Sequence, residues 1–180
     1  MGQSRPSSER WTKVMARAIR TVHAYCAGLI DGEGCISISK VRRKVSSGDV
    51  VCDYWLSVIV VTKDNKLTPW LLGNYGGRTS VVTRDHASGV QKYNRWVIQS
   101  NRATKMLREL RPYLILKRDQ CDLAIEFQNH RERHKWQNRT KDFEGVREAI
   151  FVKMKELKRA GVETKSPEPQ KAVCDSPASE

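Results

Sequence analysis

The chain has 180 residues, with 33 Lys+Arg against 20 Asp+Glu, a formal charge of +13, and 39% hydrophobic residues. That is about one domain of chain with enough apolar content for a packed core, which excludes wholesale disorder. No apolar run reaches the roughly 18 residues of a membrane span, and the N-terminus lacks the apolar stretch of a secretory signal, so the expectation is an intracellular protein that enters no membrane, with cytoplasm, nucleus and organelle equally open.

Residues 1–10, with Pro6, several serines and basic charge, read as a flexible arm. From Trp11 to Ile30 apolar residues recur at helical spacing, through Val14, Met15, Ala18, Ile19, Val22, Cys26, Leu29 and Ile30. The pattern fits one helix or two. Gly32 and Gly34 end it. Cys35 to Val45 alternates as a strand, with Ile36 and Ile38 on one face and Ser37 and Ser39 on the other. A turn signal at residues 46–49 leads to a second strand, Val50 to Thr62, β-branched and apolar on both faces. Asp64 or Asn65 caps a short helix through Leu72, which the glycine-rich stretch 73–77 breaks. Arg78 to Arg84 and Gln91 to Gln99 read as a third and a fourth strand. Ser100 or Asn101 caps a helix to about Leu110, and Pro112 interrupts it. Lys117 to about Trp136 is a further helix. Phe143 to Leu157 is an amphipathic one, with Val146, Ile150, Met154 and Leu157 in line; supporting the sheet and contacting DNA are both open to it, and a solvated, mixed-charge helix is the simpler reading. Residues 161–180, with three prolines and few apolar side chains, read as a disordered tail. A single domain over 11–160 remains.

The order predicts an α+β fold in which two hairpins form an antiparallel sheet with helices on one face. The other face is left uncovered. Its candidate side chains are Ser37, Ser39, Arg43, Arg78, Arg84, Tyr93 and Arg95. Strands can enter a DNA major groove, so these seven are the candidate DNA-contacting residues; an ordinary solvated face is the alternative. Charge points the same way. The last twenty residues hold two lysines against four acids, so the positive excess lies wholly upstream. A body that basic attracts a polyanion, because each neutralised phosphate releases condensed counterions.

The five cysteines, Cys26, Cys35, Cys52, Cys121 and Cys174, form no CxxC pair, which argues against a zinc ribbon or finger. Cys26, Cys35 and Cys121 fall in apolar patterns and read as small core residues. His130 and His134 have a spacing that suits a metal on a helix, but their Arg and Lys neighbours make a solvated basic face the simpler reading.

The informative stretch is Cys26-Ala27-Gly28-Leu29-Ile30-Asp31-Gly32-Glu33-Gly34. It resembles the signature of the LAGLIDADG homing endonucleases in its Asp-Gly-Glu-Gly variant, with Cys26 where Leu is usual. The resemblance covers roughly residues 20–135. It implies the family's αββαββα fold, a saddle-shaped antiparallel sheet with helices on one face, here with extra C-terminal helices.

The residues make physical sense in that setting. Gly28 and Gly32 lie four apart on one helix face and Ala27 is also small, so two such helices can approach closer than the usual 8–10 Å. Ala27, Gly28, Asp31 and Gly32 are therefore the candidate residues between two copies. Two packed copies bring their Glu33 carboxylates together, and like charges that close need cations between them. Mg²⁺, hard and oxygen-seeking, suits the task. The resemblance implies that Glu33 is the metal-binding catalytic acid, that the Gly32 carbonyl is a further ligand, and that Asp31 orients the helix end. Mn²⁺ is expected to substitute, and Ca²⁺ to bind without supporting cleavage. Arg111 to Gln120 resembles the family's Pro-aromatic-Leu-x-Leu-Lys stretch, which puts Lys117 beside the scissile phosphate. Lys63 falls where the family places Gln or Lys near the attacking water.

Only one signature is present, which resembles the homodimeric branch. The implied activity is a double-strand break with short 3′ overhangs in a long, near-palindromic DNA target. Two alternatives stay open: an RNA-binding intron maturase and a non-cleaving DNA-binding regulator. Glu33 and Lys117 are both present, and neither alternative needs them.

Overall fold

The computed structural model describes residues 8–46, 48, 50–86, 89–133 and 141–163. Helix α1 (Ser8–Glu33) is followed by strands β1 (Gly34–Lys44) and β2 (Val50–Thr62), helix α2 (Leu67–Tyr75), and strands β3 (Arg78–His86) and β4 (Gly89–Gln99). Helix α3 (Ser100–Leu110), a 3₁₀ turn (Arg111–Tyr113), α4 (Arg118–Arg133) and α5 (Lys141–Glu163) complete the chain. Helices thus run into both segments expected to lack structure. The rest of the expected arm and tail, residues 1–7 and 164–180, lies outside the described residues, as does His134.

The sheet has the order β1-β2-β4-β3, with all three pairings antiparallel. Period-two alternation sorts its faces. Ile36, Ile38, Tyr54, Leu56, Val58, Val60, Trp96 and Ile98 form the buried face. Against it pack Cys26, Ala27 and Ile30 of α1, Ala103, Met106, Leu107 and Leu110 of α3, and Cys121, Ala124 and Phe127 of α4. Burial pushes the thiols of Cys26 and Cys121 up to about 11 and about 12, so both stay protonated and unreactive.

Local chemistry sets the ends of the elements. The Asp64 carboxylate accepts the backbone N–H groups of Lys66 (2.7 Å) and Leu67 (3.0 Å), which starts α2. This helix continues past the expected stop at Leu72 and ends at Gly76, where the chain turns at φ 72°. Gly77 follows at φ 96°, and a Cβ there would lie 2.5 Å from the Val97 carbonyl oxygen, so only glycine fits beside β4. The Gly76 carbonyl accepts the indole N–H of the fully buried Trp96 at 2.8 Å. Neither Ser100 nor Asn101 caps α3. Gln99 occupies the cap position without a side-chain hydrogen bond, and Asn101 instead accepts from the buried Gln128 amide.

Helix α5 is not simply a solvated appendage. Ile150 and Met154 are buried, the Phe151 ring meets Tyr54 at 5.9 Å, and Glu148 accepts from Lys40 of β1 at 2.6 Å and from the Tyr54 hydroxyl. Cys35, expected in the core, is exposed, and Lys158 donates to its sulfur at 3.2 Å. It sits one residue out of phase with Ile36, so it leaves the core face, and only the long Lys158 side chain of α5 reaches it among the described residues.

Candidate functional site

Helix α1 passes into β1 with no intervening loop: Glu33 is the last helical residue and Gly34 the first of the strand. A Cβ on Gly34 would lie 2.7 Å from the Ile30 Cα and 2.8 Å from the Ile30 carbonyl oxygen. Glycine is what lets the strand leave the helix at this angle.

Asp31 and Lys117 lock this end of the helix. The buried Asp31 carboxylate accepts the backbone N–H groups of Ile115 (2.7 Å) and Lys117 (2.9 Å). The Lys117 ammonium in turn donates to the carbonyls of Ile30 (2.8 Å) and Asp31 (2.6 Å). The final turn of a helix leaves its carbonyls without intrahelical partners and carries partial negative charge. A cation there satisfies both needs, so the 114–117 segment is pinned to α1 from two sides.

Glu33 projects from this locked end. It is exposed, and among the described residues no hydrogen bond or ion pair ties its carboxylate down. Gly28 and Gly32 are exposed as well, and a Cβ on either would meet nothing within 4 Å. Their face of α1 is bare. Ala27 departs from its expected place between two copies: it is fully buried against the sheet, because it points to the opposite side of the helix from Gly28 and Gly32. Asp31 also turns inward, occupied by the 115–117 backbone.

The uncovered sheet face lies beyond this helix end. Ser37 pairs with Ser57, and Ser57 with Gln99, so β1, β2 and β4 share a phase in which Ser39, Arg43, Arg95 and Tyr93 follow at two-residue steps. Arg78 opposes Val97 and Arg84 opposes Gln91. All seven sequence-predicted contact residues therefore fall on one face, opposite the helices. Arg43 pairs with Asp53 at 3.2 Å. Tyr93 is flanked by the cations of Arg84 (5.4 Å from the ring centre) and Lys63 (5.6 Å), and its hydroxyl donates to Gln91 at 3.0 Å. Lys63 is thus grouped with Tyr93 and Arg84 at the strand ends.

Sequence reasoning missed one residue of this face. Trp55 lies on it, partly exposed, and the Arg131 guanidinium stacks 4.3 Å from its ring centre. Arg131 belongs to α4 on the helical side. Strand β4 pairs with β2 only from Ser57 onward, and the free edge before it leaves room for this side chain. The Trp55 signal was hidden in a strand apolar on both faces.

Among the described residues no group of three His, Cys, Asp or Glu side chains forms a metal site. Glu33 and the adjacent Gly32 carbonyl offer hard oxygen donors, the kind that a divalent cation such as Mg²⁺ takes.

No protein-family model matches the chain, and no curated protein matches it. Solved structures do. The homing endonuclease I-CvuI, in complex with its target in the presence of Ca, is 17% identical, with a TM-score of 0.60 over 87% of this chain and 88% of that one. The homing endonuclease I-TnaI is 17% identical, with a TM-score of 0.51 over 79% and 96%. The I-LtrWI LAGLIDADG homing endonuclease bound to target DNA is 17% identical, with a TM-score of 0.54 over 86% of this chain and 46% of that one. The chain therefore has the LAGLIDADG homing endonuclease fold.

Proposed function

We propose that this chain is a homodimeric, divalent-metal-dependent, site-specific DNA endonuclease. One observation carries the reading: an exposed Glu33, tied down by no group among the described residues, at a rigidly locked helix end, beside a Gly28–Gly32 face that no described residue covers and the open basic sheet. The fold neighbours support it, since I-LtrWI is bound to target DNA and the archaeal intron-encoded homing endonuclease I-Vdi141I is complexed with DNA. The chain matches most of I-CvuI and I-TnaI but under half of I-LtrWI, as expected if one chain supplies half of the working unit.

Two copies pack through Gly28 and Gly32, which brings their Glu33 carboxylates onto the symmetry axis. Glu33 and the Gly32 carbonyl of each copy hold Mg²⁺. When bound, the metal lowers the pKa of water and offsets charge on phosphate oxygens. The protein's own contribution is positioning. Asp31 holds the 115–117 segment and Lys117 holds the last turn of α1, so Glu33 is presented on a stiff support. The open face, with Arg43, Arg78, Arg84 and Arg95, binds the duplex. Two-fold symmetry calls for a near-palindromic target and two cuts that leave short 3′ overhangs.

The test is cleavage of a randomised DNA library carrying near-palindromic inserts, in Mg²⁺ and in Ca²⁺, by wild type and Glu33→Gln. Mg²⁺-dependent double-strand cuts at one site, lost in the variant, are expected. Tight, site-selective binding without cleavage in Mg²⁺ would overturn the nuclease reading in favour of a regulator. Selectivity for intron RNA alone would point to a maturase.

A further inference from the structure

Helix α1 has 26 residues and is about 39 Å long. Residues 12–21 are exposed throughout. The exposed stretch is amphipathic: beside Lys13, Arg17 and Arg20 it carries Val14, 50% exposed, Met15, 59%, and Ile19, 51%, with Tyr25, 59%, just beyond. An amphipathic helix without a partner is marginal in water, so this face calls for a cover.

Its register says what the cover is. Val14, Ala18, Thr21, Tyr25, Gly28 and Gly32 are spaced four, three, four, three and four, the seam of a two-stranded coiled coil. The next position along, Met15, Val22 and Leu29, is apolar too. Lys13, Arg17 and Arg20 fall off the seam, so two parallel copies place no like charges directly against each other. The seam also opens onto a groove of about 880 Å³ bounded by Val22, Tyr25, Leu67 and Trp70.

The two glycines cannot hold a dimer by themselves. They permit close approach but remove almost no apolar side chain from water, whereas a stable interface buries roughly 800 Å² per partner. The missing apolar area lies upstream on the same stripe. We infer that the extended N-terminal half of α1, through Val14, Met15, Ala18 and Val22, continues the pairing with a second copy of this chain as a parallel coiled coil and supplies much of the dimer's stability. This rests on the homodimeric reading above.

Sedimentation equilibrium on the full chain tests it, with wild type, Val14→Asp combined with Ala18→Asp, and a control, Lys13→Ala combined with Arg20→Ala. All these positions are exposed, so each variant should keep the folded domain, which far-UV circular dichroism checks. The wild type should be dimeric, the control should match it, and the seam variant should show a dissociation constant at least tenfold higher. A dimeric wild type with an unchanged seam variant would overturn the inference and leave the homodimer standing. A wild type monomeric both free and on DNA would overturn both. Cross-linking gives a second reading. Ala18→Cys should form an interchain disulfide on mild oxidation and Lys13→Cys should not; equal cross-linking would also overturn the inference.

Discussion

Asp31 and Lys117 hold each other by exchanged roles: the Asp31 side chain accepts the Lys117 backbone N–H at 2.9 Å, and the Lys117 side chain donates to the Asp31 backbone carbonyl at 2.6 Å. Each residue uses its charge on the other's main chain. The pair orients peptide groups, which suits a support for a neighbouring acid better than a simple ion pair would.

Asp31→Ala should therefore be costly. It leaves the part-buried N–H groups of Ile115 and Lys117 without their shared acceptor, and about 1–3 kcal/mol of folding stability should be lost. Asp31→Asn keeps one acceptor oxygen and should lose less. Denaturant titration of the three proteins at neutral pH measures both.

Glu33→Gln should behave in the opposite way. The side chain is exposed and unengaged among the described residues, so stability should stay within about 0.5 kcal/mol of wild type. Cleavage should fall by several orders of magnitude while DNA binding persists. Equal loss of binding and cleavage would argue against a role in the chemistry alone.

Lys117→Met should slow single-turnover cleavage at saturating enzyme more than it weakens binding, since it frees the carbonyls at the helix end without touching the sheet face. Lys117→Arg should restore part of the rate. Binding and rate constants measured on one duplex separate the two effects.

Arg95 lies mid-sheet, opposite Val61 on one side and Ser80 on the other. Arg95→Ala should relax selectivity at one base pair per half-site by about 1–3 kcal/mol and leave the salt dependence of binding nearly unchanged. A salt slope smaller by about one phosphate, with selectivity intact, would reassign Arg95 to the DNA backbone.

The pin between α5 and the sheet should be acid-sensitive. The Lys40 ammonium, and next the Tyr54 hydroxyl, hold the Glu148 carboxyl below its ordinary value. A carboxyl with a depressed folded pKa stabilises above its unfolded value, and that contribution is lost as pH falls through the depressed one. Wild type should thus melt a few degrees above Glu148→Gln at neutral pH, about 2–4 °C. The difference should shrink as pH falls below the ordinary carboxylate range and vanish once Glu148 is protonated in the folded protein. A gap that does not narrow on acidification would refute the assignment.

Much of this architecture was legible in local pattern. The stretch Val50–Thr62 is β-branched and lies between turn residues, and it forms a strand with those ends. The nine residues from Cys26 to Gly34 placed the helix end and its acid. Facing was harder. Ala27 is small like Gly28, but one residue turns a helix by about 100°, which takes Ala27 from the open side into the core. Cys35 failed similarly, by one step of a strand. The stacking of Arg131 on Trp55 was beyond reach, because it depends on where β4 stops pairing with β2. The role of α5 depended on a contact between Glu148 and Lys40, residues far apart in the chain.

The direct passage from α1 into β1 leaves no slack between the acid and the sheet. Glu33 ends the helix, and Gly34 begins an edge strand whose outer face carries Ser37, Ser39 and Arg43. On the endonuclease reading proposed above, a duplex that twists or flattens the sheet as it settles moves the carboxylate in the same motion, as a lever moves with its arm. Selectivity then need not come from contact energy alone: a sequence that seats the sheet badly also aims the acid badly, and the two errors multiply.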